Sequence, residues 1–224
     1  MITISQLSIL VVFYVLLFLL CFLVWKKKSG NLISAKVQNG DWTWLHIRHA
    51  GGIIIMVVLP VLFLPVPSNL LAWPQHVDSL QVTALLITAL VIFSLSAKET
   101  EVLGNKKFIV NKGSFFQAVL HIILRNSFLV CYEWFFRGLV LFICVSLFGI
   151  IPAVLINLSL YAAIHLINGK KEFLGSILFG IILCAFTLWW HSVWPAILLH
   201  ILLSASYESV ILHSFFCKPL KSNL

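Results

Sequence analysis

Long apolar runs separated by short polar or basic stretches dominate this chain. A helix crossing about 30 Å of hydrocarbon needs roughly 20 apolar residues. Such segments fall near 4–25, 50–71, 79–97, 127–148, 150–167, 174–190 and 193–215. The pattern predicts an all-α fold, a polytopic transmembrane helical bundle of about seven spans. Residues 115–148 would be about 50 Å long at the helical rise, too long for one perpendicular span. The first part of that stretch carries His121 and Arg125, so 115–126 is expected to form an interfacial helix before the fourth span. Pro60, Pro65 and Pro67 interrupt the second span, where neighbouring helices must satisfy the freed carbonyls. The first segment lacks a basic start and a small-residue cleavage site and runs into Lys26-Lys27-Lys28, so it is expected to be a retained span. No internal repeat or soluble domain is evident. The chain divides into N-terminal spans with basic loops at 1–114, a core holding the polar motifs at 115–215, and a short tail at 216–224.

Composition fixes the class. With 61% hydrophobic and 10% charged residues, the chain cannot present a soluble domain's surface to water. Its net charge of +8 would suggest nucleic acid in a soluble protein. Here, however, the lysines cluster in loops: Lys26, Lys27, Lys28 and Lys36, then Lys106 and Lys107, then Lys170 and Lys171, and last Lys218 and Lys221. All four groups fall on one side of a seven-span arrangement, and the opposite side carries no Lys or Arg. The positive-inside rule then places the N-terminus outside and the C-terminus in the cytoplasm. The expectation is an integral protein of the cytoplasmic (inner) membrane, with the lipid bilayer as its partner and no nucleic acid. Cys21, Cys131, Cys144, Cys184 and Cys217 lie in or at the end of apolar runs and read as reduced packing residues.

Three late spans carry polar groups that need an account. Glu133 is set well inside an apolar segment, where a carboxylate is costly unless paired or wetted. Arg137 follows one turn later, close enough to pair with it. Such a pair can pin helices together or serve chemistry. In the fifth span Asn157, Tyr161 and His165 share a face, and in the seventh His200, Ser204 and Glu208 form another four-residue ladder. An acid, an arginine and two histidines on three spans are groups that can activate a water or hold a metal. His46, His49, His76, His121, His191 and His213 fall in loops or near span ends, where exposure accounts for them. Asp78, Glu99, Glu101 and Glu172 read as loop charges.

At these residues the chain resembles the CPBP family of intramembrane proteases, related to the CAAX prenyl endopeptidase and also called Abi proteins. The family pattern is Glu-Glu-x-x-x-Arg, then Phe-x-x-x-His, then His-x-x-x-Asn on successive helices. Here the first motif reads Tyr132-Glu133-Trp134-Phe135-Phe136-Arg137, followed by Gly138. The second reads Tyr161-Ala162-Ala163-Ile164-His165, and the third His200-Ile201-Leu202-Leu203-Ser204 after a Trp194-Pro195-Ala196 run. The resemblance covers 115–208. Tyr132 replaces the first Glu, generally taken as the water-activating base, and Ser204 replaces Asn.

The resemblance implies an intramembrane endopeptidase that hydrolyses a peptide bond in a membrane-associated protein or peptide. Glu133 would accept a proton from a water held by His165 and His200. Ser204 and Tyr132 would donate to the developing oxyanion, and Arg137 would orient Glu133. The family is described both as metalloproteases and as glutamic proteases. If a metal is used, a divalent ion such as zinc, its ligands would be Glu133, His165 and His200. The alternative is a catalytically inactive relative that binds membrane peptides or proteins as an immunity or chaperone-like factor, and Tyr132 favours it. A transporter or proton relay is a third reading.

Overall fold

A computed structural model describes residues 4–27, 42–65, 71–74, 76–104 and 115–217. The basic positions Lys28, Lys36, Lys106, Lys107, Lys218 and Lys221 lie outside the described residues, as do the side chains of Glu99, Glu101, His213 and Cys217. Among the described residues the chain is helical throughout. α1 spans Ile4–Lys26. α2 covers Thr43–Ile53 and Leu59–Phe63 around a π-helical turn at Ile54–Val58. α3 is Ser79–Gly104. α4 covers Phe115–Glu133 and Leu141–Phe148 with a π-helical stretch, Trp134–Val140, between them. α5 is Ile150–Leu166, α6 Lys170–Trp190 and α7 Trp194–Cys217.

Among the described residues, five stretches are long and apolar enough to cross a membrane: Gln6–Lys26, Thr43–Phe63, Ser79–Ala97, Phe116–Phe148 and Lys170–Trp190. Ile150–Leu166 is a shorter apolar helix. Large apolar side chains such as Leu62, Leu90, Ile151 and Leu178 point outward, as they must where lipid is the solvent. Glu133, Arg137, Asn157, Thr187 and His200 turn inward.

Two expectations about elements change. Residues 115–126, expected as an interfacial helix leading into the fourth span, are continuous with it: α4 runs on without a break at residue 126. Its His121 and Arg125 point to protein partners and need no membrane surface. The second helix starts at Thr43, seven residues before the apolar run, so His46 and His49 belong to it.

Packing places α4 at the centre. It contacts α2, α5 and α7, while α5 packs on α6 and α3 packs on α7. Lipid tails are as apolar as leucine, so close approach and hydrogen bonds hold such helices together. Gly52 lets α2 approach so near that a β-carbon there would lie 2.5 Å from the Phe128 ring. Tyr14 donates to the Leu160 carbonyl at 3.0 Å, tying α1 to α5. Gly149 joins α4 to α5 at φ 82°, a conformation that glycine adopts without a Cβ clash. At the start of α3, Asp78 accepts from the Gln81 backbone N–H at 2.7 Å, and the Asp78 N–H donates to the Gln81 side chain at 3.0 Å. That reciprocal cap gives Asp78 a structural task.

Candidate active site

The centre of α4 is built around a carboxylate and a guanidinium. Glu133 ends the first α-helical stretch, and Arg137 lies in the π-helical stretch that follows. π-helical turns often mark functional sites. Here the turn's residues Trp134 to Val140 are all buried, and Asn157 of α5 donates to the Phe136 carbonyl at 2.6 Å. Cys184 of α6 donates in turn to the Asn157 oxygen at 3.4 Å, so one amide joins three helices.

Glu133 and Arg137 are both 0% exposed. Arg137 Nε stands 3.4 Å from Glu133 Oε2, and the guanidinium lies 4.3 Å from the centre of the Tyr161 ring. The other carboxylate oxygen, Oε1, is 2.5 Å from Nδ1 of His200 on α7. Glu133 therefore serves an arginine on its own helix and a histidine from another. With Nδ1–H donated to the carboxylate, Nε2 of a neutral His200 is an acceptor.

A cavity of about 350 Å³ opens beside this pair, and its wall includes Tyr132, Tyr161, His165, His200 and Ser204. Glu133 and Arg137 stand behind that wall. Neighbouring positions on a helix point about 100° apart, so Tyr132 faces the space and Glu133 faces His200. The Tyr132 ring meets His200 edge-on at 5.9 Å and Tyr161 at 5.6 Å. Its hydroxyl has no hydrogen-bond partner among the described residues.

His165 sits 4.9 Å from the Tyr161 ring, with Nδ1 3.9 Å from Glu172 Oε2. Glu172 also accepts from Asn168 at 2.7 Å. Among the described residues no three His, Cys, Asp or Glu side chains gather closely enough to hold a metal ion. Glu133 and His200 touch each other, and His165 turns toward Glu172. Zinc does not fit these three side chains as they are placed.

A second polar network lines the same cavity, and the residue pattern did not announce it. His49 and His121, expected to be exposed, are 0% and 1% exposed. His121 Nε2 lies 3.1 Å from Glu208 Oε2. Arg125 Nε lies 3.1 Å from Glu208 Oε1 and donates to Ser204 Oγ at 3.0 Å. The His121 ring packs against Trp42 at 5.4 Å and His49 at 5.5 Å. One signal could have revealed it. His121, Arg125, Phe128 and Tyr132 follow helical spacing and share a face, but assigning 115–126 to the membrane surface hid the stripe.

No curated protein and no solved structure matches the chain. Residues 112–206 match the family model Rce1-like, described as type II CAAX prenyl endopeptidase Rce1-like, and this stretch is consistent with the CPBP/CAAX protease family.

Proposed function

We propose that this protein is an intramembrane endopeptidase cleaving a membrane-associated peptide or protein, with the region 115–215 as its catalytic core. One observation carries the reading: the buried contact of Glu133 with Nδ1 at 2.5 Å equips His200, at the wall of a cavity that other polar side chains also line, to act as a base. A carboxylate behind a histidine fixes its tautomer and stabilises the imidazolium, whatever the fold. In this scheme a water gives a proton to His200 Nε2 while its oxygen bonds to the scissile carbonyl carbon. The oxyanion takes hydrogen bonds from the Tyr132 hydroxyl and from Ser204, whose oxygen already accepts from Arg125. The tetrahedral adduct collapses, the C–N bond breaks, and the imidazolium proton passes to the leaving amine. His165 holds the water from the opposite helix. Arg137 positions Glu133 through their ion contact and does not touch the substrate.

This scheme revises the role expected for Glu133 from direct base to support for His200. The substrate is a membrane-associated chain; nucleic acid has no place in this reading. One-sided lysines support an N-terminus outside and a C-terminus in the cytoplasm.

A second reading, a non-catalytic peptide-binding relative, is favoured by Tyr132, which puts a phenol at the cavity wall where the family pattern has its base. Purified protein in detergent, incubated with a fluorogenic peptide library, separates the two. Cleavage by the parent that His200→Ala abolishes supports the protease. A silent parent that gains cleavage with Tyr132→Glu supports the binding protein.

A further inference from the structure

We infer that Glu172 is a positioning residue for the hydrolytic water: it keeps the His165 proton on Nδ1 and leaves Nε2 as a bare acceptor in the cavity. This rests on the reading of the cavity as a peptidase site. Glu172, His165 and Asn168 line that cavity together. His165 lies in the last turn of α5 and Glu172 in the first turn of α6. Two backbone bonds tighten the connection between them, from the Asn168 N–H to the His165 carbonyl at 3.0 Å and from the Gly169 N–H to the Leu166 carbonyl at 3.2 Å.

An acid in the first turn of a helix suits the helix dipole in any rotamer. This one reaches back over the turn. Asn168 Nδ2 donates to Glu172 Oε2 at 2.7 Å, and the same oxygen lies 3.9 Å from His165 Nδ1. The other carboxylate lining the cavity, Glu208, is held by His121 and Arg125, which leaves Glu172 to serve His165. A proton on Nδ1 has a carboxylate to point at, whereas a lone pair there would face a negative charge. The Tyr161 ring, 4.9 Å away, packs against the imidazole and steadies it.

The tautomer decides what the ring does to a water. With the proton on Nδ1, Nε2 of His165 accepts one O–H of the water while Nε2 of His200 accepts the other, and an oxygen lone pair stays free for the carbonyl carbon. With the proton on Nε2, His165 would donate into that lone pair and hold back the attack. Glu133 behind His200 and Glu172 behind His165 thus perform one task on two histidines, the first carboxylate 0% and the second 46% exposed. Water weakens the charge effect at the exposed site, so Glu172 controls its imidazole less tightly than Glu133 does.

The test reads the tautomer directly, so it does not depend on turnover. The full chain in phosphatidylcholine nanodiscs, labelled with nitrogen-15 in its histidine rings, is recorded by solid-state NMR at about pH 8, where ordinary imidazoles are neutral. The signals missing from His165→Gln identify the ring. The parent should show a protonated Nδ1 and a bare Nε2, favoured by about five to one or more over the opposite tautomer, as a hydrogen bond to a charged group allows. Glu172→Gln keeps an acceptor without the charge and should reduce that ratio. Glu172→Met keeps the length without an acceptor and should bring the Nε2–H form to an equal or greater population. With a fluorogenic peptide, kcat should fall in the same order while KM stays close to the parent's, because the water and not the peptide loses its hold. A parent ring carrying its proton on Nε2, a ring protonated at both nitrogens, or a ratio unmoved in both variants overturns the inference whether or not the protein cleaves. A tautomer that moves while kcat does not overturns it as well. A tautomer that moves in a protein that cleaves nothing sinks the protease reading and leaves the hold of Glu172 on His165 standing.

Discussion

Glu133 is buried with two partners, and each can be removed separately. Arg137→Ala leaves a carboxylate inside the bundle with only His200 beside it, and breaking a buried pair in this way costs roughly 3–5 kcal/mol. Reduced accumulation in the membrane and earlier melting in detergent are expected. A variant that accumulates and melts like the parent would mean that the ion contact at 3.4 Å contributes little. Glu133→Gln changes the other contact: the amide can no longer take the Nδ1 proton as a charged acceptor, so His200 loses its tautomer control. Proteolysis should fall by roughly 10²–10⁴-fold, the range for a positioned acid–base group. The double change with His200→Ala should be no worse than His200→Ala alone, because the two act as one unit. Additive losses in kcat/KM would separate them. The sequence made each of these residues conspicuous as an intramembrane polar group. It could not show that His200, 67 positions away, would stand between Glu133 and the cavity.

At the scale of the elements, legibility followed hydropathy and failed where polar residues face protein. The apolar runs located α1, α3, α5, α6 and α7 closely. The start of α2 was missed because Trp42 to His49 look like loop residues, although His49 and Trp42 are buried against His121 and Phe128. The protein partners of His121 and Arg125 in α4 were missed for the same reason: a hydropathy window counts both as polar but has no knowledge of Glu208. The π-helical stretch left no mark in the pattern at all. It is held by Asn157, whose amide donates to the Phe136 carbonyl. Asn157→Ala should loosen that turn and lower stability by about 0.6–1.7 kcal/mol, the scale of an interhelical hydrogen bond in a membrane protein. Asn157→Asp, which loses the donor but keeps the size, should be at least as harmful. If both variants melt with the parent in a detergent thermal-shift assay, the turn is set by packing of Phe135 and Phe136 alone.

The arrangement of the whole molecule relates the cavity to one side of the membrane. His165 at the C-terminal end of α5 lies beside Glu172 at the N-terminal end of α6, and Lys171, Ser204 and Glu208 line the same cavity. At the N-terminal end of α7 the Trp194 indole N–H donates to the Leu71 carbonyl at 2.9 Å, and the neighbouring Ser192 hydroxyl donates to the Ala72 carbonyl at 3.3 Å. If the lysine-rich side is cytoplasmic, the part of the cavity lined by Lys171 and Glu172 lies toward the cytoplasm, and a substrate would reach it from that side. Single-cysteine variants provide the measurement. Cysteines at positions 27 and 171 should react with a membrane-impermeant maleimide only after cells are opened, and a cysteine at position 76 should react in intact cells. The four native cysteines described are free, so the variants need a background with all five replaced by serine or alanine. Labelling of positions 27 and 171 on opposite faces would break the parity of helices between them and with it the shared side of the basic loops. Labelling of both from outside would keep the helix arrangement but reverse it, placing the cavity mouth on the external face and requiring a substrate delivered from there.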